Sequence, residues 1–240
     1  MKKKHNDHFL FYSESKTKNR ITINGQEKQH AIAVLRVEDG EHIQITDGQG
    51  NLFVCEVESV LKSSIECNIV ESWSVKRITP DVTIALGLTD RAHFESAIES
   101  LTALGVKKII PVIFEHCRKP WWDKWRRYEE RFKLKMISSM KQCLYPYIPE
   151  LVYPTILKEV LEEDKTHMIV ADPNGSTLKS EIRDKQTPVT CIIGPPGGFS
   201  ATEISEFNRT KVVYVKLTPN RLRTELAATV LCAQIIGHTL

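Results

Sequence analysis

No run in this sequence approaches the roughly 18 to 20 apolar residues that a membrane-spanning helix requires, and the mean hydropathy is −0.25. The basic start, Met1 to Asp7, has no apolar stretch behind it of the kind a secretory signal carries, so a cytoplasmic protein without membrane partners is expected. Cysteine is sparse and scattered. Cys55, Cys67, Cys117, Cys143, Cys191 and Cys232 form no CxxC pair and have no histidine beside them at ligand spacing. A zinc site and a disulfide framework are both excluded on that pattern, and the six are read as small buried apolar residues. Also missing is the Gly-Lys-Ser/Thr ending of a phosphate-binding P-loop, and no GxGxxG follows a strand, since Gly48 and Gly50 sit in a turn. Classes built on ATP or NAD lose their main sequence support.

What is present is enough apolar material, 41% of 240 residues, to build a sizeable core in one large or two small domains. The net charge is only +3, but it is unevenly spread. Residues 1–20 carry six Lys/Arg against two acids, and residues 118–141 carry nine against three, so the rest of the chain is net acidic. Basic charge concentrated in this way is the electrostatic footprint of a polyanion binder, and it points to nucleic acid.

Two kinds of pattern divide the chain. Up to about residue 75 short strands are punctuated by turns: Phe9–Tyr12, His42–Thr46, Leu52–Val57 and Ser64–Val70, with Asp47-Gly48-Gln49-Gly50 as a hairpin signal and a short helix near Glu27–Leu35. A small barrel-like all-β module follows. From about residue 76 strands alternate with helices: Val82–Leu88, Phe94–Leu104, Lys108–Phe114, Trp122–Leu144, Met168–Ala171, Leu178–Ile182, Val189–Ile193, Thr202–Asn208, Val212–Leu217 and Leu222–Ile236. That order predicts a parallel sheet covered on both faces.

In open sheets of this kind ligands bind beyond the carboxyl ends of the strands. Three such ends carry unusual loops: Ala171 to Gly175, Gly194 to Phe199 and Leu217 to Asn220. In the second, three glycines permit close backbone approach, and Ser200 with Glu203 forms a capping-box signature for the next helix. Pro195 and Pro196 have no N–H to offer a phosphate, so a plain tight turn is the competing reading. At 100° per residue, Lys124, Arg127, Arg131 and Lys135 form one cationic stripe on the helix Trp122–Leu144, opposite Trp125, Tyr128, Phe132, Met136 and Met140. Such a row suits phosphate contacts, though it also describes the solvated face of an amphipathic helix. Arg221 and Arg223 open the last helix, where the macrodipole disfavours cations, and that local cost hints at function.

The segment Ile193-Gly194-Pro195-Pro196-Gly197-Gly198-Phe199-Ser200 resembles the IGPEGGFS motif of the RsmE-type 16S rRNA uridine-N3 methyltransferases, members of the SPOUT superfamily. Leu217 to Ala227 is similar to that family's LGxRILRxETA. Gln29 to Arg36 resembles its SRHxxxVLR, Leu104-Gly105-Val106 its ELGV, and Met140 to Cys143 falls where it has an EQS-type segment. The matches run along essentially the whole chain in the right order.

This resemblance implies an α/β trefoil-knot methyltransferase domain at 76–240 and an N-terminal PUA-like β-barrel at 1–75 that helps hold RNA. It implies S-adenosylmethionine as cofactor, ribosomal RNA or the small subunit as partner, and a homodimer. By position, Gly194, Pro195, Gly197 and Gly198 with Leu217 and Leu222 would line the cofactor pocket. RNA would meet His30, Arg36 and the stripe Lys124, Arg127, Arg131 and Lys135. Methylating uridine N3 requires loss of the N3–H proton and stabilisation of the developing anion. Arg223 is the candidate stabiliser; Glu225 either accepts the proton or orients Arg223 or the loop. The chain departs from the family pattern at Pro196 (Glu), Thr218 (Gly), Leu226 (Thr), Ser100 (Lys), Ala103 (Glu) and His116 (Arg). These departures keep two alternatives open: the same fold acting on another RNA or base, and an RNA-binding relative that has lost catalysis.

Overall fold

The computed structural model describes residues 9–78, 80–118, 120–163, 167–178 and 187–237. They form two compact units: residues 9–77 with 137–148, and residues 78–136 with 149–237. The 12 residues 137–148, which the change of pattern near residue 75 assigns to the second unit, pack with the first.

The first unit is a five-stranded sheet in the order β1 (Leu10–Tyr12), β3 (His42–Thr46), β4 (Asn51–Val60), β5 (Ser64–Ser74), β2 (Arg20–Asn24), with helix α1 at Gly25–Ala33. The Asp-Gly hairpin forms as expected and pairs β3 with β4 in antiparallel register, Thr46 opposite Leu52. Asp47 Oδ1 accepts from the Gln49 N–H at 2.9 Å, which fixes the turn. The edge strands approach each other: the Ser13 hydroxyl donates to the Thr22 carbonyl at 2.6 Å and the Thr22 N–H to the Ser15 carbonyl. Alternating positions on these strands close a core of Phe11, Ile21, Ile23, Ile43, Ile45, Phe53, Val57 and Ile65. Strand β2, Arg-Ile-Thr-Ile-Asn, carries only two apolar residues between polar flanks of Lys and Asn, so its alternation stands out little in the sequence.

The second unit is built on a parallel sheet in the order β12 (Val213–Lys216), β10 (His167–Thr177), β11 (Val189–Ile193), β6 (Val82–Gly87), β7 (Lys108–Ile113), β8 (Glu150–Leu151), with β9 (Thr155–Ile156) also on β7. Every pairing is parallel, as the alternation of strands and helices predicts. The central strand β11 is buried throughout, Val-Thr-Cys-Ile-Ile, as a strand covered on both faces should be. Its helices are α2 (Arg91–Ala103), α3 (Glu129–Cys143) as far as Met136, α4 (Leu157–Glu163), α5 (Ala201–Thr210) and α6 (Thr224–Gly237). The helix read at Leu178–Ile182 lies, beyond Leu178, outside the described residues. Among the described residues no helix is long and apolar enough to cross a membrane.

Two expectations need correction. The stretch Trp122–Leu144 is not one helix: residues Trp121–Arg127 form a 3₁₀ segment, non-helical at Lys124, before α3 begins. Residues three apart eclipse in a 3₁₀ turn, and the tighter winding packs Trp121 and Trp125 against Phe94 and Phe132, with Trp121 and Trp125 stacked at 5.8 Å. The aromatic cluster overrides the regular period, so angles computed at 100° per residue fail there. Nor are all cysteines buried: Cys143 is exposed and Cys117 half-buried. Burial pushes the Cys55, Cys67 and Cys232 thiols up to about 12, which leaves them inert.

Candidate active site

The carboxyl ends of β11 and β12 flank the break in register that interrupts β10 between Ala171 and Ser176, so the three segments singled out in the sequence meet around one cavity. Its volume is about 790 Å³, within the usual range for a small-molecule site. Ala171 to Pro173 form one side, Ile193 to Pro196 with Gly198 and Phe199 a second, and Leu217 to Thr218 with Asn220 to Glu225 a third. The cavity also takes in Thr89, Asp90 and His93 from the end of β6 and the start of α2.

Hydrogen bonds lock the loops to one another. The buried Thr224 hydroxyl donates to the Gly194 carbonyl at 2.9 Å, Arg221 donates to the Pro196 carbonyl at 3.2 Å, and Gln234 of α6 donates to the Leu217 carbonyl at 3.2 Å. The capping box forms as the sequence suggests. Ser200 Oγ accepts from the Glu203 N–H, and Glu203 Oε2 accepts from the Ser200 N–H at 2.8 Å. Glu203 has a second task that the sequence did not reveal, because its Oε1 accepts from the Glu115 N–H beyond β7 at 2.8 Å. A buried carboxylate with two backbone donors thus ties two strand ends together.

Of the sequence-derived cofactor residues, Gly194, Pro195, Gly198, Leu217 and Leu222 line the cavity. Gly197 does not. A Cβ there would stand 2.6 Å from the Cβ of His116, and the His116 ring nitrogen Nδ1 lies 3.1 Å from the Gly198 carbonyl oxygen, so Gly197 lets the loop close down on His116. Gly198 has φ +77°, a left-handed conformation that side chains disfavour. Gly87, which the sequence reading passed over, is equally constrained: a Cβ there would lie 2.5 Å from the Pro195 nitrogen.

Arg223 and Glu225 both line the cavity, and among the described residues no hydrogen bond or ion pair joins their side chains. The His93 ring faces the Glu225 carboxylate, with Nε2 3.9 Å from Glu225 Oε1. Arg223 is exposed at the cavity wall, one residue before α6 begins. The cationic stripe is also broken up. Arg131 makes a bidentate pair with Glu95 at 2.7 and 2.8 Å, and Lys135 bonds Glu99 at 2.8 Å. The Arg131 guanidinium holds the Glu95 carboxyl below its usual range, with Arg91 and Lys135 adding to the effect. Lys124 and Arg127 are exposed on the 3₁₀ segment, and His30 and Arg36 are exposed on the first unit. Glutamates on α2 at 95 and 99 could have been matched to cations three and four apart only with the α2–α3 packing known.

A cavity at the strand ends of a parallel sheet, lined by a glycine-rich loop and walled by an arginine and a carboxylate, is the arrangement of a small-molecule site in an open α/β fold. Comparison with known proteins gives the class: residues 77–236 match the RNA methyltransferase domain, residues 23–70 match the RNA methyltransferase PUA domain, and the chain belongs to this family. More particularly, it is 27% identical over 219 residues to the ribosomal RNA small subunit methyltransferase E of Aquifex aeolicus, covering 91% of this chain and 94% of that one. A Legionella pneumophila protein solved with bound S-adenosylmethionine superposes with a TM-score of 0.87 at 27% identity, covering 96% of this chain and 97% of that one. The Neisseria gonorrhoeae ribosomal RNA small subunit methyltransferase E, at 21% identity, shares the fold with a TM-score of 0.85 over 96% of this chain and 97% of that one.

Proposed function

We propose that this chain methylates N3 of a uridine in small-subunit ribosomal RNA, with S-adenosylmethionine as methyl donor. The observation that carries the reading is the convergence of these three segments on one cavity with Arg223 at its wall. The lining suits the cofactor. Ile193, Phe199, Leu217 and Leu222 offer an apolar slot for an adenine, while Asp90, Asp172 and Glu225 supply carboxylates and Arg221 a cation for the charged amino-acid end. When bound, the sulfonium supplies an electrophilic methyl group, so the protein need not provide a covalent nucleophile. The chain's own work is to hold the uridine ring edge-on, exclude water and stabilise charge. Arg223, whose guanidinium has no hydrogen-bond or ion-pair partner among the described residues, is exposed at the cavity and donates to a uridine carbonyl oxygen as N3 loses its proton.

RNA is held through His30 and Arg36 on the first unit and Lys124 and Arg127 on the second, all exposed. Threading of the C-terminal segment as in SPOUT knots is supported by the sheet order. The chain leaves edge strand β12, passes the β11 loop through the Arg221 and Thr224 contacts, and returns as α6 against α2, β6 and β11. A homodimer is supported by α6, which is apolar all round, with Leu226 exposed and Val230 half-exposed. Such an enzyme works in the cytoplasm, where ribosomes mature. Incubation with labelled S-adenosylmethionine and small subunits from cells lacking this gene should label 16S rRNA; labelling of no RNA would refute the reading.

A further inference from the structure

The cavity contains a histidine that the sequence reading did not single out. Asp90 caps the N-terminus of α2, and its carboxylate accepts the His93 N–H at 3.1 Å. The same carboxylate lies 2.8 Å from Nδ1 of the His93 ring. A proton on Nδ1 completes that hydrogen bond, which leaves the lone pair on Nε2. Nε2 is the nitrogen nearer Glu225, at 3.9 Å, too long for a hydrogen bond. His93 therefore stands between two carboxylates from different helices with its basic nitrogen unengaged by either, and all three residues line the cavity that Arg223 walls. The other charged groups around this cavity are Asp172 at the register break within β10 and Arg221 before α6, while Arg91 is turned away over the Tyr128 ring.

We propose that His93 is the general base of methyl transfer, with Asp90 as its positioning residue. The inference rests on the functional reading above. The uridine N3–H proton passes to His93 Nε2 while the N3 electron pair forms the new N–CH₃ bond. The S–CH₃ bond breaks with its pair returning to sulfur, leaving a neutral thioether, and the imidazolium later releases its proton to solvent. Asp90 on one side and Glu225 on the other stabilise that imidazolium by their negative charge. Arg223 takes the opposite charge, the one that develops on the uridine oxygen. Imidazole is the side chain most often used for such proton transfers, and an ordinary carboxylate is a feeble base by comparison.

The test uses the full-length protein, S-adenosylmethionine and small ribosomal subunits under single-turnover conditions. His93→Ala should slow methyl transfer by about 100- to 10,000-fold while binding S-adenosylmethionine normally by calorimetry. Added imidazole should restore a substantial part of the rate, in proportion to its neutral form, and His93→Gln should be slow as well. Asp90→Asn keeps a good helix cap but loses the charge, and it should slow transfer without unfolding the protein. A His93→Ala protein with the unaltered rate overturns the assignment, as does a slow one that imidazole fails to rescue. If the unsubstituted protein itself binds S-adenosylmethionine and methylates no RNA, the functional reading fails instead, and the base assignment falls with it.

Discussion

Arg223 and Glu225 stand two positions apart at the entry to α6, yet the fold sends them to different partners. Glu225 faces His93, which leaves Arg223 available at the cavity wall. An interaction made mainly in the transition state lowers turnover without weakening ground-state binding. Arg223→Ala should therefore reduce the single-turnover rate by about 100- to 1000-fold while S-adenosylmethionine affinity, measured by calorimetry, stays the same. An equal loss of RNA affinity would make Arg223 a docking residue. At this scale the sequence spoke clearly where chemistry is local. The glycines, the capping box and the arginine were all legible because each signal lies within a few residues. The Asp90–His93–Glu225 group was not, since nothing in the chain places residue 93 beside residue 225. Gly197 was legible as a residue that must be small, but the neighbour that requires it, His116, was not.

Helix α2 and helix α3 are joined by charge as well as by aromatic packing. Glu95 is buried against the Arg131 guanidinium, which lowers its proton affinity in the folded state. A carboxyl with a depressed folded pKa adds stability that is present above its unfolded pKa and is lost as pH falls through the folded value. The stability difference between the unsubstituted protein and Glu95→Gln, from urea melts, should thus be largest near neutrality and shrink in acid. A pH-independent difference would show that the pairing contributes nothing. The same pairing changes what the cationic stripe can do. Lys124→Glu with Arg127→Glu should weaken RNA binding and lower its salt slope by roughly two units, whereas reversing Arg131 and Lys135 should act first on stability. The stripe was legible only as a run of cations. Which of them remain free depends on the 3₁₀ turn and on the glutamates of α2, features that a regular helical period does not encode.

For the molecule as a whole, the alternation of strand and helix was enough to predict a parallel sheet, because each buried strand carries a continuous apolar run. The small elements β8, β9 and α4 escaped, being two to seven residues long and below the length at which a period is measurable. The assignment of 137–148 to the first unit escaped too, since contact across the sequence leaves no local mark. The exposed apolar surface of α6 belongs to this scale as well. The proposed homodimer predicts that the unsubstituted protein sediments as a dimer and that Leu226→Asp shifts it to monomer; a monomeric unsubstituted protein would contradict the proposal.

The central claim is that the cavity at the ends of β11 and β12 and the register break of β10 methylates one uridine nitrogen. Nucleoside mass spectrometry of small-subunit rRNA, before and after treatment with the protein and S-adenosylmethionine, addresses it directly. The account predicts new 3-methyluridine at a single position, formed by the unsubstituted protein and nearly absent with Arg223→Ala. Methylation of a different base or atom, or 3-methyluridine formed equally well by the Arg223→Ala protein, would contradict it.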